Sequence, residues 1–185
     1  MKKLGLFVVL AMIMTMFTAC SDDDSGIPIP IDISTTAEDI EIPFATIEGI
    51  NVPLVGPIRL DVDMDQVIRD NTPGLTLDNV KSARLVEFSV VLNDSSFIGD
   101  LSAIKDMDIY VYSENPSVEE VKIAEVRDNT QTDRINFDIV YDENMKEYFE
   151  SEDIYLMLRD IVPGDGSLTT FNIDAKPVWR ASFGL

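Results

Sequence analysis

Apolar and polar residues alternate with period two through most of the chain after residue 36, the pattern of strands with one buried and one wet face. Ile40, Ile42 and Phe44 alternate with Glu41 and Pro43; Pro43 puts this run at a sheet edge, because proline donates no ladder hydrogen bond. Ile58, Leu60, Val62 and Met64 alternate with Arg59, Asp61, Asp63 and Asp65. Val86, Phe88, Val90 and Leu92 make the clearest core face, opposite Glu87 and Ser89. Met107, Ile109 and Val111 alternate with Asp108, Tyr110 and Tyr112, and the same rhythm returns in Ile135, Phe137 and Ile139, in Ile154, Leu156 and Leu158, and in Phe171 and Ile173. A last short strand is expected over residues 178–183.

Residues 118–126 carry two signals. Ser117-Val118-Glu119-Glu120 has the form of a helical capping box, whereas Val121 and Ile123 alternate after the turn signal Glu114-Asn115-Pro116-Ser117; the second reading, a hairpin, is preferred. Short helices are expected over 65–71, closed by Thr72-Pro73-Gly74, around Phe97, Leu101 and Ile104, and over 143–150, where Met145, Tyr148 and Phe149 share a face. About eight or nine strands joined by helices too short for parallel crossovers predict an all-β, antiparallel β-sandwich, immunoglobulin-like or jelly-roll-like, with two or three short helices. A closed barrel is the second architecture. Mostly charged outward positions and missing aromatic girdles argue against a transmembrane barrel.

The N-terminus follows another pattern. Lys2 and Lys3 precede an apolar run, residues 4–17, in which Thr15 is the one polar side chain, and then Thr18 and Ala19. The run is too short to span a bilayer as a helix, and its order of charge, apolar stretch and small residues is that of a secretory signal. Cys20, the single cysteine, has no internal disulfide partner and is therefore a free thiol or modified.

Phe17-Thr18-Ala19-Cys20 resembles the lipobox of bacterial lipoproteins, with Phe17 where leucine is usual. The resemblance implies a diacylglycerol thioether on Cys20, acyl chains such as palmitate, and removal of residues 1–19. Two or more chains anchor stably, since each buried methylene contributes about 0.8 kcal/mol. Ser21, Asp22, Asp23 and Asp24 resemble the acidic export signal of Bacteroidota lipoproteins, which implies display on the outer face of the outer membrane; an acidic run also keeps a linker solvated and extended. Ile27-Pro28-Ile29-Pro30-Ile31 is necessarily extended, either as a stalk or as a first edge strand. The expected division is a signal peptide (1–19), a lipidated tether (20–36) and one sandwich domain (37–185), broadly similar to the β-sandwich lipoproteins of that group.

The chain carries 14 basic and 34 acidic residues, a formal net charge of −20. Removing residues 1–19 takes two lysines and no acid, leaving 12 basic (14 − 2) against 34 acidic residues and a net charge of −22. Such a surface repels phosphate backbones and excludes nucleic acid as a partner. Histidine is absent, which excludes Ser-His-Asp and Cys-His catalysis and imidazole zinc sites. No glycine-rich phosphate loop appears. A non-enzymatic protein with no organic cofactor is expected.

Asp61, Asp63 and Asp65 are the sharpest acidic cluster, placed by the strand reading on one face with side chains roughly 6.5–7 Å apart. Calcium is the ion such oxygens suit, yet EF-hand spacing fails because Gln66 and Thr72 stand where glycine and glutamate belong; a solvated face with Asp65 capping the next helix is the plainer reading. Asp160 and Asp165, with the loop 163–167, and the stretch 128–133 are weaker oxygen-ligand candidates that also read as turns. Tyr110, Tyr112 and Trp179 are the candidates for stacking a sugar, against ordinary packing of amphipathic rings. The expected function is an envelope-anchored structural or interaction module. Its alternatives are a glycan-binding accessory lipoprotein of an uptake system, or an assembly subunit that donates residues 178–183 to a neighbour's sheet.

Overall fold

The computed structural model describes residues 29–42, 44–47, 50–53, 56–60, 62–93, 100–151, 153–164 and 171–184. Its strands are β1 (Ile29–Ser34), β2 (Ala37–Ile42), β3 (Phe44–Ile47), β4 (Ile50–Pro53), β5 (Ile58–Leu60), β6 (Val80–Leu92), β7 (Ile104–Ser113), β8 (Val121–Val126), β9 (Arg134–Asn136), β10 (Asp138–Ile139), β11 (Ile154–Pro163) and β12 (Phe171–Phe183). Two helices, α1 (Met64–Asn71) and α2 (Lys146–Phe149), and two 3-10 turns, Leu77–Asn79 and Leu101–Ala103, interrupt them.

The strands form an all-β sandwich of two antiparallel sheets. In the first, β1 and β2 lie end to end along one side of β12, followed by β6 and β9; in the second the order is β10-β8-β7-β11-β5. β3 and β4 make a separate ribbon. Inward residues of both sheets, among them Ile33, Leu85, Phe88, Met107, Ile109, Val111, Leu156 and Trp179, form one buried cluster. The chain changes sheet at Phe137, between β9 and β10, where its ring meets Phe88 edge-on at 5.3 Å. Met64 and Ile68, one turn apart on α1, are buried in the same cluster.

The hairpin preferred for 118–126 is present: β8 pairs antiparallel with β7, and the capping-box reading fails because residues 119–120 lead straight into the strand. Other expectations are corrected. The tether does not reach Thr36. Residues 29–34 form an edge strand against residues 178–183 of β12, because Ile31 and Ile33 have a core to bury in and Pro30 stands at an edge, where proline is tolerated. The final strand is not short either, since β12 runs unbroken from residue 171 through Pro177. The Pro177 carbonyl accepts from Thr35 N–H at 3.1 Å, so the ring nitrogen faces the gap where β1 gives way to β2 and no ladder bond is lost.

In β6, Glu87 pairs with Val178 and Leu85 with Trp179, leaving Val86 as an extra, bulged residue. The bulge shifts the inward phase from Ala83 and Leu85 to Phe88 and Val90, so Val86 is only half-buried. The helix expected around 97–104 reduces to the turn Leu101–Ala103, with Ile104 opening β7 and Phe97 outside the described residues. The strand expected over 58–64 stops at Leu60.

Candidate functional site

The reason β5 stops shapes the site. Asp63 adopts an extended backbone and its Oδ1 accepts from Gln66 N–H at 2.9 Å, a side-chain N-cap that starts α1 at Met64. Asp65, expected to be the cap, lies inside the first turn. Its Oδ1 accepts from Leu77 N–H at 2.8 Å and its carboxylate pairs with Arg69, which draws the 3-10 turn against the helix.

Between this turn, the end of β5 and the end of α2 lies an open groove of about 330 Å³. Its floor is apolar: Leu60, Met64 and Phe149 are each less than a tenth exposed, with half-buried Val62 and Leu77 beside them. Three carboxylates rim it, those of Asp63, Asp65 and Glu150. The floor is braced from below: Phe149 meets Trp179 edge-on at 5.1 Å, and Trp179 Nε1–H donates to Thr35 Oγ1 at 3.3 Å. Tyr148, one residue earlier, is fully buried and donates its hydroxyl to the Glu119 carbonyl at 2.5 Å. Burial, with the negative charges of Glu147 and Glu119 nearby, pushes its phenol up to about 12.

Glu150 pairs with Lys146 at 3.1 Å, as Asp65 does with Arg69. Both are partly exposed i,i+4 pairs on a helix, a class that contributes only about 0.3–0.5 kcal/mol. An incoming cation can therefore replace Lys146 or Arg69 at small cost. The groove is suited to an apolar group carrying positive charge.

The linear triad Asp61-Asp63-Asp65 does not form on a strand face: Asp63 and Asp65 belong to a helix start, and Asp61 lies outside the described residues. Among the described residues, no group of three or more acidic, histidine or cysteine side chains is arranged to hold a metal ion. In the stretch 128–133, Asn129 is buried and its side-chain amide donates to the carbonyls of Leu101 and Ile104 at 2.7 and 2.9 Å. Asp128 N–H donates to Asp106 Oδ1 at 2.8 Å, and its carboxylate pairs with Lys105 at 3.2 Å. These bonds tie a loop to the start of β7. Asp160 occupies a bulge of β11 at φ 49°, while Asp165 lies outside the described residues.

Tyr110 and Tyr112 do share the outer face of β7. Tyr112 stacks on Tyr155 of β11 (5.1 Å between ring centres, 15° between planes), and the Arg159 guanidinium sits 4.9 Å from the Tyr110 ring centre. Each of the two rings thus already has a partner within the molecule. Trp179 joins neither tyrosine: it is 4% exposed, in the core of the other sheet. Cys20 and residues 21–24 lie outside the described residues.

Period-two reading missed a buried charge. Asp108, on the outer face of β7, is 5% exposed because Lys122 and Arg127 lie over it, at 2.8 and 2.6 Å. Burial alone would raise its carboxyl pKa, but the hydrogen bonds and charges of those two cations hold it below the ordinary carboxylate value. Leu77 and residues 149–151 were missed as site residues because they reach the groove from segments distant in sequence. No protein-family model matches the chain, and no curated protein sequence matches it significantly.

Proposed function

We propose that the chain is a lipoprotein of the cell envelope, held by acyl chains on Cys20 and acting as a non-catalytic interaction module on the outer membrane, facing the cell exterior. The observation that carries this reading is the lipobox-like Phe17-Thr18-Ala19-Cys20 with its acidic successor, Cys20 being separated by eight residues from the first strand of a sandwich. Residues 21–28 reach at most about 30 Å even when fully extended, which holds the domain close to the bilayer.

A glycan-binding role has weaker support, since Tyr110 and Tyr112 are engaged by Arg159 and Tyr155. So does strand donation by residues 178–183, which already pair with β1 on one side and β6 on the other. The anchor is tested by a Cys20→Ser variant expressed beside the wild type. The wild type is expected to sediment with membranes and to be released only by detergent, whereas the variant loses membrane retention or keeps its signal. Equal retention of both forms, both cleaved, contradicts the reading.

A further inference from the structure

Within the proposed role as an interaction module, we infer that the groove between α1 and α2 receives an apolar side chain from a protein partner, flanked in that partner by lysine or arginine. The inference rests on that role, but it can fail separately from the anchor.

Three properties of the groove select this occupant. First, at about 330 Å³ it lies at the low end of the roughly 300–1,000 Å³ usual for small-molecule sites, and it is open to solvent. A small ligand would be poorly enclosed there, whereas a leucine- or phenylalanine-sized side chain fits within it with room for a covering backbone across the opening. Second, the floor and rim have the anatomy of an anchor pocket: Leu60, Met64 and Phe149 beneath, polar groups around them. Met64 adds an unbranched, polarizable side chain that adapts to differently shaped anchors. The floor is also stiff, because Phe149, the last residue of α2, rests on Trp179 within β12.

Third, charge complementarity specifies the flanks. Every charged residue lining the groove is acidic. The cations that neutralise two of them, Arg69 and Lys146, stand outside the lining in partly exposed pairs that exchange at small cost. Asp63 has a second carboxylate oxygen beyond the one used as the cap. The chain's net charge of −20 would speed the approach of a basic segment and repel an acidic one.

The test uses the full-length protein in detergent micelles, with leucine and valine methyl groups labelled for NMR, titrated with blocked tripeptides. Lys-Leu-Lys is expected to produce saturable shifts at Leu60, Val62 and Leu77, with an affinity in the region of about 1 mM. Lys-Ser-Lys is expected to bind about tenfold more weakly for lack of the apolar anchor, and Glu-Leu-Glu more weakly still. The double variant Asp63→Asn, Glu150→Gln keeps a capping side chain at 63 and is expected to lose about fivefold affinity for Lys-Leu-Lys with an unchanged spectrum elsewhere. Leu77→Trp, which fills the groove, is expected to abolish the shifts. Equal binding of Lys-Leu-Lys and Lys-Ser-Lys, shifts outside the groove, or no saturation overturns the inference. So does butylammonium binding as tightly as the peptide, which would reassign the groove to small cations. Because Cys20 is untouched in these variants, failure here leaves the anchor standing, and loss of membrane retention leaves the groove standing.

Discussion

Asp108 and Asp63 begin as equals: both fall on the polar side of an alternating run, and both were expected to face water. In the folded molecule one is buried beneath two cations and the other stands on the rim of a groove. What separates them is who sits across the sheet. The β7–β8 hairpin and the loop after it bring Lys122 and Arg127 over Asp108, so that carboxylate serves cohesion. Asp63 stands outside the sheet, because it is the cap from which α1 starts. Under the proposed partner recognition, that placement is the difference between a structural charge and a recognition charge.

The largest effect should come from beneath the groove. Trp179→Ala removes the brace under Phe149 and leaves a cavity in the core, with an expected loss of about 3–5 kcal/mol in urea unfolding. Asp108→Ala should cost about 2 kcal/mol, because it strips two cations of the charged acceptor they bond. The pH profile sharpens that contrast. The folded pKa of Asp108 is depressed, so its stabilisation is present above about pH 4 and is lost as pH falls through its folded value. Asp108→Asn should therefore flatten the acid limb of the stability profile.

Tyr148 gives the opposite limb. Its pKa is raised from 10.0 to about 12, so its contribution is fully present below pH 10 and lost as pH climbs through 12. Tyr148→Phe should cost about 1 kcal/mol at neutral pH, through the lost bond to the Glu119 carbonyl, and should lessen the alkaline loss. The smallest effects belong to the rim. Asp63→Ala should cost about 1 kcal/mol as a lost cap and Asp63→Asn only a few tenths, although the Asn variant, joined to Glu150→Gln, is the one expected to weaken binding. A large stability loss in Asp63→Asn would erase the distinction between the two aspartates.

Much of the fold was legible because period two is hard to produce by accident. Met107-Ile109-Val111 and Ile154-Leu156-Leu158 were read with the correct inward faces. The failures fall where a single local event breaks the rhythm: the extra residue at Val86, the cap at Asp63, and Pro177 tolerated only because two strands meet beside it. Ile31 and Ile33 looked like a spacer since proline neighbours hide an edge strand whose partner lies some 150 positions later. The acids of the groove were legible as acids, but their setting was not. Leu60, Leu77 and Phe149 come together only through the sandwich, and no spacing along the chain announces it. The stacking of Tyr112 on Tyr155 is hidden for the same reason.

The central claim is that this sandwich is held to a membrane at its own N-terminus, and intact-mass spectrometry of the protein extracted from membranes tests it most directly. The account predicts a chain beginning at Cys20 and carrying a diacylglyceryl thioether. A chain still bearing residues 1–19, or one whose Cys20 is an unmodified thiol, would contradict it.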